Sequence, residues 1–134
     1  MILLDTHVVL WLVGDDPRLG KTAIAAVAGD DDRRVSAMVS WEIAMNVDKK
    51  RLSIESPLAS WLQRSFDSIE AREVPVTGAM ALDAGGLRDG LHGDPCDRIM
   101  IATARALECP LLTADEKILD YAAAGHLKAI DARR

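Results

Sequence analysis

Acidic side chains stand where predicted strands end and predicted helices begin. Asp5 follows the apolar run "ILL" and Asp115 follows "LLT" by one residue, so each lies just beyond the carboxyl end of a predicted strand. Glu42 and Asp97 lie early in two predicted helical stretches. If one domain gathers these carboxylates, their repulsion raises their pKa values and costs stability, so a compensating cation is expected.

Hard divalent cations are the natural partners of such a cluster. Mg²⁺ binds oxygen ligands, commonly only one or two carboxylates, and leaves its other positions to water and substrate phosphates. Mn²⁺ suits the same ligands. A cation held in this way polarises a phosphoryl oxygen and lowers the pKa of an attacking water, and a second ion can stabilise the leaving oxygen. The acids therefore predict metal-assisted hydrolysis of a phosphodiester.

Two of these acids also have ordinary structural interpretations, and Asp5 does not. Asp115 is equally well placed to be the N-cap of the helix that starts at "EKIL". Glu42, near the start of a helix, is interpreted from composition as a first-turn acid stabilised by the helix dipole. Asp5 is unusual as a surface turn residue because it ends an apolar strand.

The elements that must position these acids alternate along the chain. Predicted strands cover 2–4, 35–38, 71–76, the start of 111–115, and 127–132. Predicted helices cover 6–14, 21–29, 41–52, 58–69, 77–87, about 12 residues ending at Leu107, and 116–125. Thr6 is the expected cap of the first helix, and Ser40 precedes the third. The alternation predicts an α/β fold with a mainly parallel sheet covered on both faces, and a single domain over 1–134.

Composition excludes several classes of protein. The chain has 134 residues, 49% hydrophobic and 4% aromatic, with a net charge of −5. A folded core is expected, but neither a broad basic surface for nucleic acid nor an aromatic platform for stacked bases. Two cysteines are too few for a disulfide framework, and the apolar N-terminal residues lack the features of a signal peptide or a membrane span. We expect a cytoplasmic protein.

The stretch "HGDPCDR" (92–98) combines four side chains of three metal-binding types, His92, Asp94, Cys96 and Asp97. Asp94 is predicted to be the N-cap of the following helix, with the proline after it at the first helical position. Asp97 then falls at the third helical position, where it can project towards the acids at the strand ends. We interpret His92 and Cys96 as bystanders, because a site for Mg²⁺ prefers oxygen ligands.

Four segments carry a resemblance to a known family. They are "LLDTHVVLWLVGDDPRL", "SWEIAMNVDKKRL", "GDPCDRIMIATA" and "LLTADEKI", in that order, and together they touch most of the chain. They resemble the PIN domain and, more narrowly, the VapC-type toxins of bacterial toxin–antitoxin pairs. The resemblance implies a three-layer sandwich with about five mainly parallel strands between helices. It also implies a Mg²⁺- or Mn²⁺-dependent endoribonuclease, a cognate antitoxin and a homodimer.

The resemblance also implies roles for individual residues. It places the catalytic acids on Asp5, Glu42, Asp97 and Asp115. Asp5 and Asp97 would be direct metal ligands, whereas Glu42 and Asp115 would bind a second ion or orient the attacking water.

Smaller features of the motifs carry further expectations. The hydroxyls of Thr6 and Thr113 are expected to hold a ligand carboxylate. Cys96 stands where many relatives have a large aromatic residue, and Asn46 where many have a basic one, which puts local packing and substrate contact in doubt but leaves the four acids intact. His7 is predicted to have no direct role.

Other features receive structural interpretations. The acids at 30–32 are interpreted as a solvated loop, and Trp11, Trp41 and Trp61 as residues that pack in the core or at an interface. The basic cluster 49–51 suits the end of a helix, where cations complement the dipole, with RNA contact as the alternative.

Three other functions are known for α/β domains with an acidic site, and each makes its own demand on the sequence. A signalling receiver domain needs paired acids at the first strand and an Asp after the third, and "AREVPVTG" (71–78) offers none. A phosphatase of the haloacid dehalogenase type needs a second Asp two residues after the first, where this chain has His7. A catalytically silent PIN-fold binding or regulatory module stays open as the alternative.

Overall fold

A five-stranded sheet forms the centre of the molecule in the computed structural model, which describes residues 1–88, 90–91 and 93–134. The strands are β1 (Ile2–Leu4), β2 (Arg33–Ser36), β3 (Ala71–Val74), β4 (Leu111–Thr113) and β5 (Ala129–Asp131). They stand in the order β3-β2-β1-β4-β5, and all neighbouring pairs are parallel. The predicted α/β fold with about five parallel strands is confirmed.

Helices connect and flank the strands. They are α1 (Thr6–Val13), α2 (Lys21–Ala28), α3 (Ala37–Asp48), α4 (Leu58–Ser68), α5 (Gly78–Gly85), α6 (Pro95–Leu107) and α7 (Glu116–Ala123). Every residue of β1 and β4 is buried, as expected for central strands of a sheet covered on both faces. Within the described residues, no helix is both long and apolar enough to cross a membrane.

The strand order creates a crevice at one edge of the sheet. The chain leaves β1 towards β2 on one side, whereas β4 lies on the other side of β1 and continues outward to β5. The carboxyl ends of β1 and β4 therefore meet where the winding changes direction, and ligands of open α/β sheets bind at such points. Asp5 directly follows β1, and Asp115 lies two residues after β4 ends.

The boundaries of β2 and α3 differ from the prediction. The strand covers Arg33–Ser36 rather than 35–38, because the arginine side chains find partners beside the sheet: Arg34 pairs with Asp32 at 2.6 Å. Ser36, not Ser40, caps α3 by accepting a hydrogen bond from the Met38 amide at 3.1 Å. The helix therefore begins at Ala37.

Two predictions about the starts of helices are wrong. Because α3 starts at Ala37, Glu42 lies in its interior and is not a first-turn acid. The first helix is capped by Asp5 rather than Thr6, since the Asp5 carboxylate accepts the Thr6 amide. The predicted cap of α6 by Asp94 is confirmed, with Pro95 as the first helical residue.

The tryptophans divide between two environments. Trp11 and Trp61 are half-buried and pack against the core. Trp41 on α3 is 53% exposed, so it is not a core residue. The basic cluster 49–51 follows the last residue of α3, with Lys49 as its C-cap.

Candidate active site

Asp5 is the most deeply placed acid at the crevice. Its side chain is almost fully buried, with 4% of the residue exposed. Oδ1 accepts the Thr6 amide at 2.7 Å, and Oδ2 accepts the Thr113 hydroxyl at 2.6 Å. Each carboxylate oxygen has a second lone pair, so both retain capacity for another ligand. The predicted role of Thr113, holding a carboxylate at the site, matches this geometry.

The other threonine behaves differently. Thr6 holds Asp5 through its backbone N–H, whereas the buried Thr6 hydroxyl has no hydrogen-bond partner among the described residues. The expectation that the Thr6 hydroxyl holds a carboxylate is wrong, because Thr6 is the first residue of α1 and the cap interaction uses the backbone.

Burial controls the electrostatics of Asp5. Removal from water raises the pKa of the carboxyl above its ordinary value, and the charge of Glu42 adds to this. The hydrogen bonds from Thr113 and Thr6 act in the opposite direction. The site therefore holds a carboxylate that a nearby cation would stabilise in its charged form.

Asp97 projects from the first turn of α6. Asp94 caps this helix, accepting the amides of Cys96 at 2.9 Å and of Asp97 itself at 3.2 Å. Burial raises the pKa of Asp97 to about 8, and the charges of Asp5, Asp94, Asp115 and Glu42 add to the rise. The fold thus brings the acids from four separate segments close enough to act on one another.

Asp115 caps a helix and also lines the cleft at the crevice. Its Oδ1 caps α7 by accepting the amides of Lys117 at 2.9 Å and Ile118 at 3.2 Å. Its side chain also lines an open cleft of about 350 Å³, together with Asp94, Asp97, Glu116 and Lys117. Three acids at this edge, Asp5, Asp94 and Asp115, are therefore helix N-caps.

Glu42 approaches the cluster from the half-buried interior of α3. It lies beside Cys96, whose thiol donates weakly to the Met38 carbonyl at 3.9 Å. Burial, and then Glu42, raise the pKa of the Cys96 thiol far above its ordinary value. Cys96 is thus a buried, protonated thiol, consistent with its interpretation as a bystander, whereas His92 lies outside the described residues.

His7 makes a long-range contact that the sequence did not predict. Its Nε2 accepts the Ala114 amide at 2.8 Å, and its Nδ1 lies 3.8 Å from Asp5 Oδ2. The sequence shows only that a histidine stands two residues after an acid at a strand end. It does not show that this histidine contacts a residue 107 positions away.

The cluster fits a hard cation with few protein ligands. Among the described residues, no group of three or more His, Cys, Asp or Glu side chains is arranged to hold a metal ion. Mg²⁺ needs only one or two carboxylates and completes its shell with water and phosphate oxygens. Asp5 and Asp97 are two carboxylates at this edge whose pKa values are raised, and a bound cation would offset that rise.

Comparisons with known proteins agree with this architecture. The family model described as "PIN domain" matches residues 2–124. The chain is 32% identical over 120 residues to Ribonuclease VapC22 of Mycobacterium tuberculosis (strain ATCC 25618 / H37Rv), covering 90% of this chain and 91% of that protein.

Solved structures share the fold. A chain of a toxin–antitoxin complex from Klebsiella pneumoniae matches with a TM-score of 0.66 at 19% identity, covering 98% of each chain. A chain of VapBC2 from Rickettsia felis, crystallised with a DNA fragment from its promoter, matches with a TM-score of 0.68 at 18% identity, again over 98% of each chain.

Proposed function

The chain belongs to the PIN domain family, as a VapC-type member, and on that premise we propose that it is a metal-dependent endoribonuclease. The substrate class follows from the curated relative, which is named a ribonuclease and is similar over most of both chains. The dependence on Mg²⁺ or Mn²⁺ follows from the chemistry of the site, whose ligands are carboxylate oxygens.

One observation carries this proposal. The four acids come from four separate segments of the chain. The charges of Asp5, Glu42 and Asp115 nevertheless each raise the pKa of Asp97. Such an arrangement costs stability unless a cation neutralises it. A bound Mg²⁺ or Mn²⁺ would polarise the phosphodiester and activate water for its hydrolysis.

The side chains divide the work according to their geometry. Asp5 and Asp97 would hold the cation, Asp5 because Thr113 and the Thr6 amide fix both of its oxygens. Asp115 uses Oδ1 as a helix cap, and its side chain lines the cleft, where its second oxygen would orient the attacking water or a second ion. Glu42 supplies a further negative charge from α3.

We also propose an antitoxin partner. The Klebsiella pneumoniae complex of the same fold is a toxin–antitoxin complex, and the acidic cleft is suited to receive a basic side chain of an inhibitor. A homodimer and a cytoplasmic location stay predictions.

Cleavage of RNA by the purified protein tests the proposed function. We expect cleavage of total RNA with millimolar Mg²⁺ or Mn²⁺ and none with EDTA. Asp5→Asn and Asp97→Asn should each reduce the rate roughly 10²- to 10³-fold, because metal stabilisation of the transition state is worth several kcal/mol.

A matched control and the opposing result complete this experiment. Asp120→Asn removes an exposed carboxylate elsewhere on α7 and should cut as well as wild type. Equal activity of the Asp5 and Asp97 variants and wild type would show that the site is wrongly assigned. A wild-type protein that is folded, metal-loaded and inactive on every RNA would favour the silent binding module.

A further inference from the structure

His7 joins the two loops that carry Asp5 and Asp115. It is the second residue of α1, directly after the β1–α1 corner, and its Nε2 accepts the Ala114 amide in the loop between β4 and α7. A second bond joins the same loops, from the Thr113 hydroxyl to Asp5 at 2.6 Å. We call this pair of hydrogen bonds, Asp5–Thr113 and His7–Ala114, the clasp.

The clasp determines the position of Asp115. Thr113 donates to Asp5 and also accepts the Asp115 amide at 3.1 Å. Ala114, between them, is held by His7. Thr113, at the end of β4, and the two residues after it are therefore fixed relative to the β1–α1 corner.

The hydrogen bond from Ala114 also defines the state of the imidazole. A backbone amide can only donate, so Nε2 must present its lone pair, and the ring proton is on Nδ1. That N–H faces the Asp5 carboxylate at 3.8 Å, which is too long for a direct hydrogen bond. Because its Nε2 lone pair is occupied, His7 in this position cannot serve as a general base.

Neighbouring side chains hold the ring in place. The Trp11 ring lies 5.2 Å from the imidazole at an interplanar angle of 57°. The guanidinium of Arg18 covers Trp11 at 5.1 Å and is itself paired with Asp16 at 2.7 Å. The imidazole thus has an aromatic ring packed against it and a hydrogen-bonding partner at Nε2, which together restrict its orientation.

We propose that His7 is a positioning residue, which acts through Ala114 to set the distance between Asp115 and Asp5. This inference rests on the proposed function, because the distance matters only if both acids serve one reaction. Groups that orient catalytic ligands typically contribute about 10- to 100-fold in activity.

Two amide substitutions separate the roles of the ring nitrogens. His7→Gln places an acceptor near the position of Nε2 and can keep the bond to Ala114, whereas His7→Asn places its amide near Nδ1 and cannot reach Ala114. We expect His7→Gln to retain kcat within about threefold, and His7→Asn and His7→Ala to lose about 10- to 100-fold in kcat with little change in KM.

The contrasting results would overturn the proposal. A merely structural role predicts that all variants lose stability without a specific fall in kcat per folded molecule. Equal kcat values for His7→Asn and wild type, or an equal loss in His7→Gln and His7→Ala, would each contradict positioning through Ala114.

A spectroscopic measurement tests the geometry independently of activity. The ¹⁵N shifts of the His7 ring in wild type should show protonation at Nδ1, and the Ala114 amide should exchange more slowly than in His7→Asn. The opposite tautomer, or an unprotected Ala114 amide, would overturn the clasp. If wild type shows both signatures but cuts no RNA, the proposed function fails, and the positioning role in catalysis fails with it.

Discussion

Acidic residues at the crevice serve the fold and the site together. Asp5 and Asp115 each use one oxygen to cap a helix, and Asp94 does the same for α6 while Asp97 faces the cleft. Capping interactions at helix N-termini place partial positive charge beside the carboxylates. The attraction between the carboxylates and this partial charge offsets part of the repulsion among the acids before any cation binds.

The raised pKa of Asp97 predicts a pH-dependent stability. Its folded-state pKa is about 8, above the ordinary value of 3.8, so between these pH values the folded protein binds a proton that the unfolded chain lacks. For this group, stability therefore falls as pH rises towards 8, and is constant above it. In EDTA, Asp97→Asn should be more stable than wild type at pH 9, and the difference should shrink towards pH 5.

Urea denaturation across this pH range measures the effect. Asp120→Asn serves as the control, because it removes an exposed carboxylate of α7. Parallel stability curves for wild type and Asp97→Asn from pH 5 to 9 would show that the fold does not perturb Asp97.

The sequence predicted interactions between neighbouring residues better than interactions between distant ones. The Asp94 cap is local, since its partners lie two and three residues ahead, and the motif predicted it correctly. The contact of His7 with Ala114 spans 107 residues and requires the pairing of β1 with β4 to be known. No local pattern carries that information.

At the scale of elements, side-chain partners and helix caps determine where strands and helices begin and end. Element boundaries were predicted less well than the elements themselves. Arg33 and Arg34 lie outside the predicted strand 35–38, but they belong to β2 and their charges are paired beside it. Ser36 and Ser40 are both reasonable caps in the sequence, and only the end of β2 determines which one is used. The alternation of strands and helices was predictable because each apolar run is bounded by polar residues.

The cap of α6 provides a prediction for one element. Asp94→Ala removes the acceptor for two amides and should lower the free energy of unfolding by about 1 kcal/mol, whereas Asp94→Ser should retain most of it. Both variants remove the same charge near Asp97, so their difference isolates the cap. Urea denaturation in EDTA measures it, and equal stability of the two variants would contradict a capping role.

Arg98 provides a second prediction at this scale. Its guanidinium donates to the carbonyls of Ala84 at 2.8 Å and Leu87 at 2.9 Å, with longer bonds to Gly85 and Leu91. The compact ammonium of Arg98→Lys keeps the charge but cannot reach these separated acceptors. We expect a loss of about 1–3 kcal/mol in unfolding free energy from carbonyls left without a donor.

Thermal and urea unfolding of Arg98→Lys check this expectation. The matched control is Arg64→Lys on the exposed face of α4, which should change stability by less than about 0.5 kcal/mol. A stability of Arg98→Lys equal to wild type would show that charge alone, rather than the guanidinium geometry, holds the segment to α6.

The acidic site forms only when the whole molecule folds, so a ligand of the site affects global stability. The acids converge only when the sheet is assembled, so a divalent cation should bind the folded state and not the unfolded chain. At 100 times the dissociation constant, such binding adds about 2.7 kcal/mol to the unfolding free energy. We expect Mn²⁺ to raise the Tm of wild type by several degrees, and that of Asp5→Asn much less.

Calorimetric scans with Mn²⁺ and with EDTA test this expectation. His126→Gln serves as the control and should respond to Mn²⁺ like wild type, because the His126 ring stacks on Tyr121 and is not one of the proposed ligands. An equal rise in Tm for wild type and Asp5→Asn would place the stabilising ion elsewhere on the protein.

The central position of β1 has a consequence for synthesis of the chain. The ribosome makes Asp5 108 residues before its hydrogen-bonding partner Thr113. At about 5–20 residues per second, roughly 5–20 s separate the two during translation. A nascent or prematurely released chain that ends before β4 cannot close the crevice, so the cluster assembles only after β4 has been made.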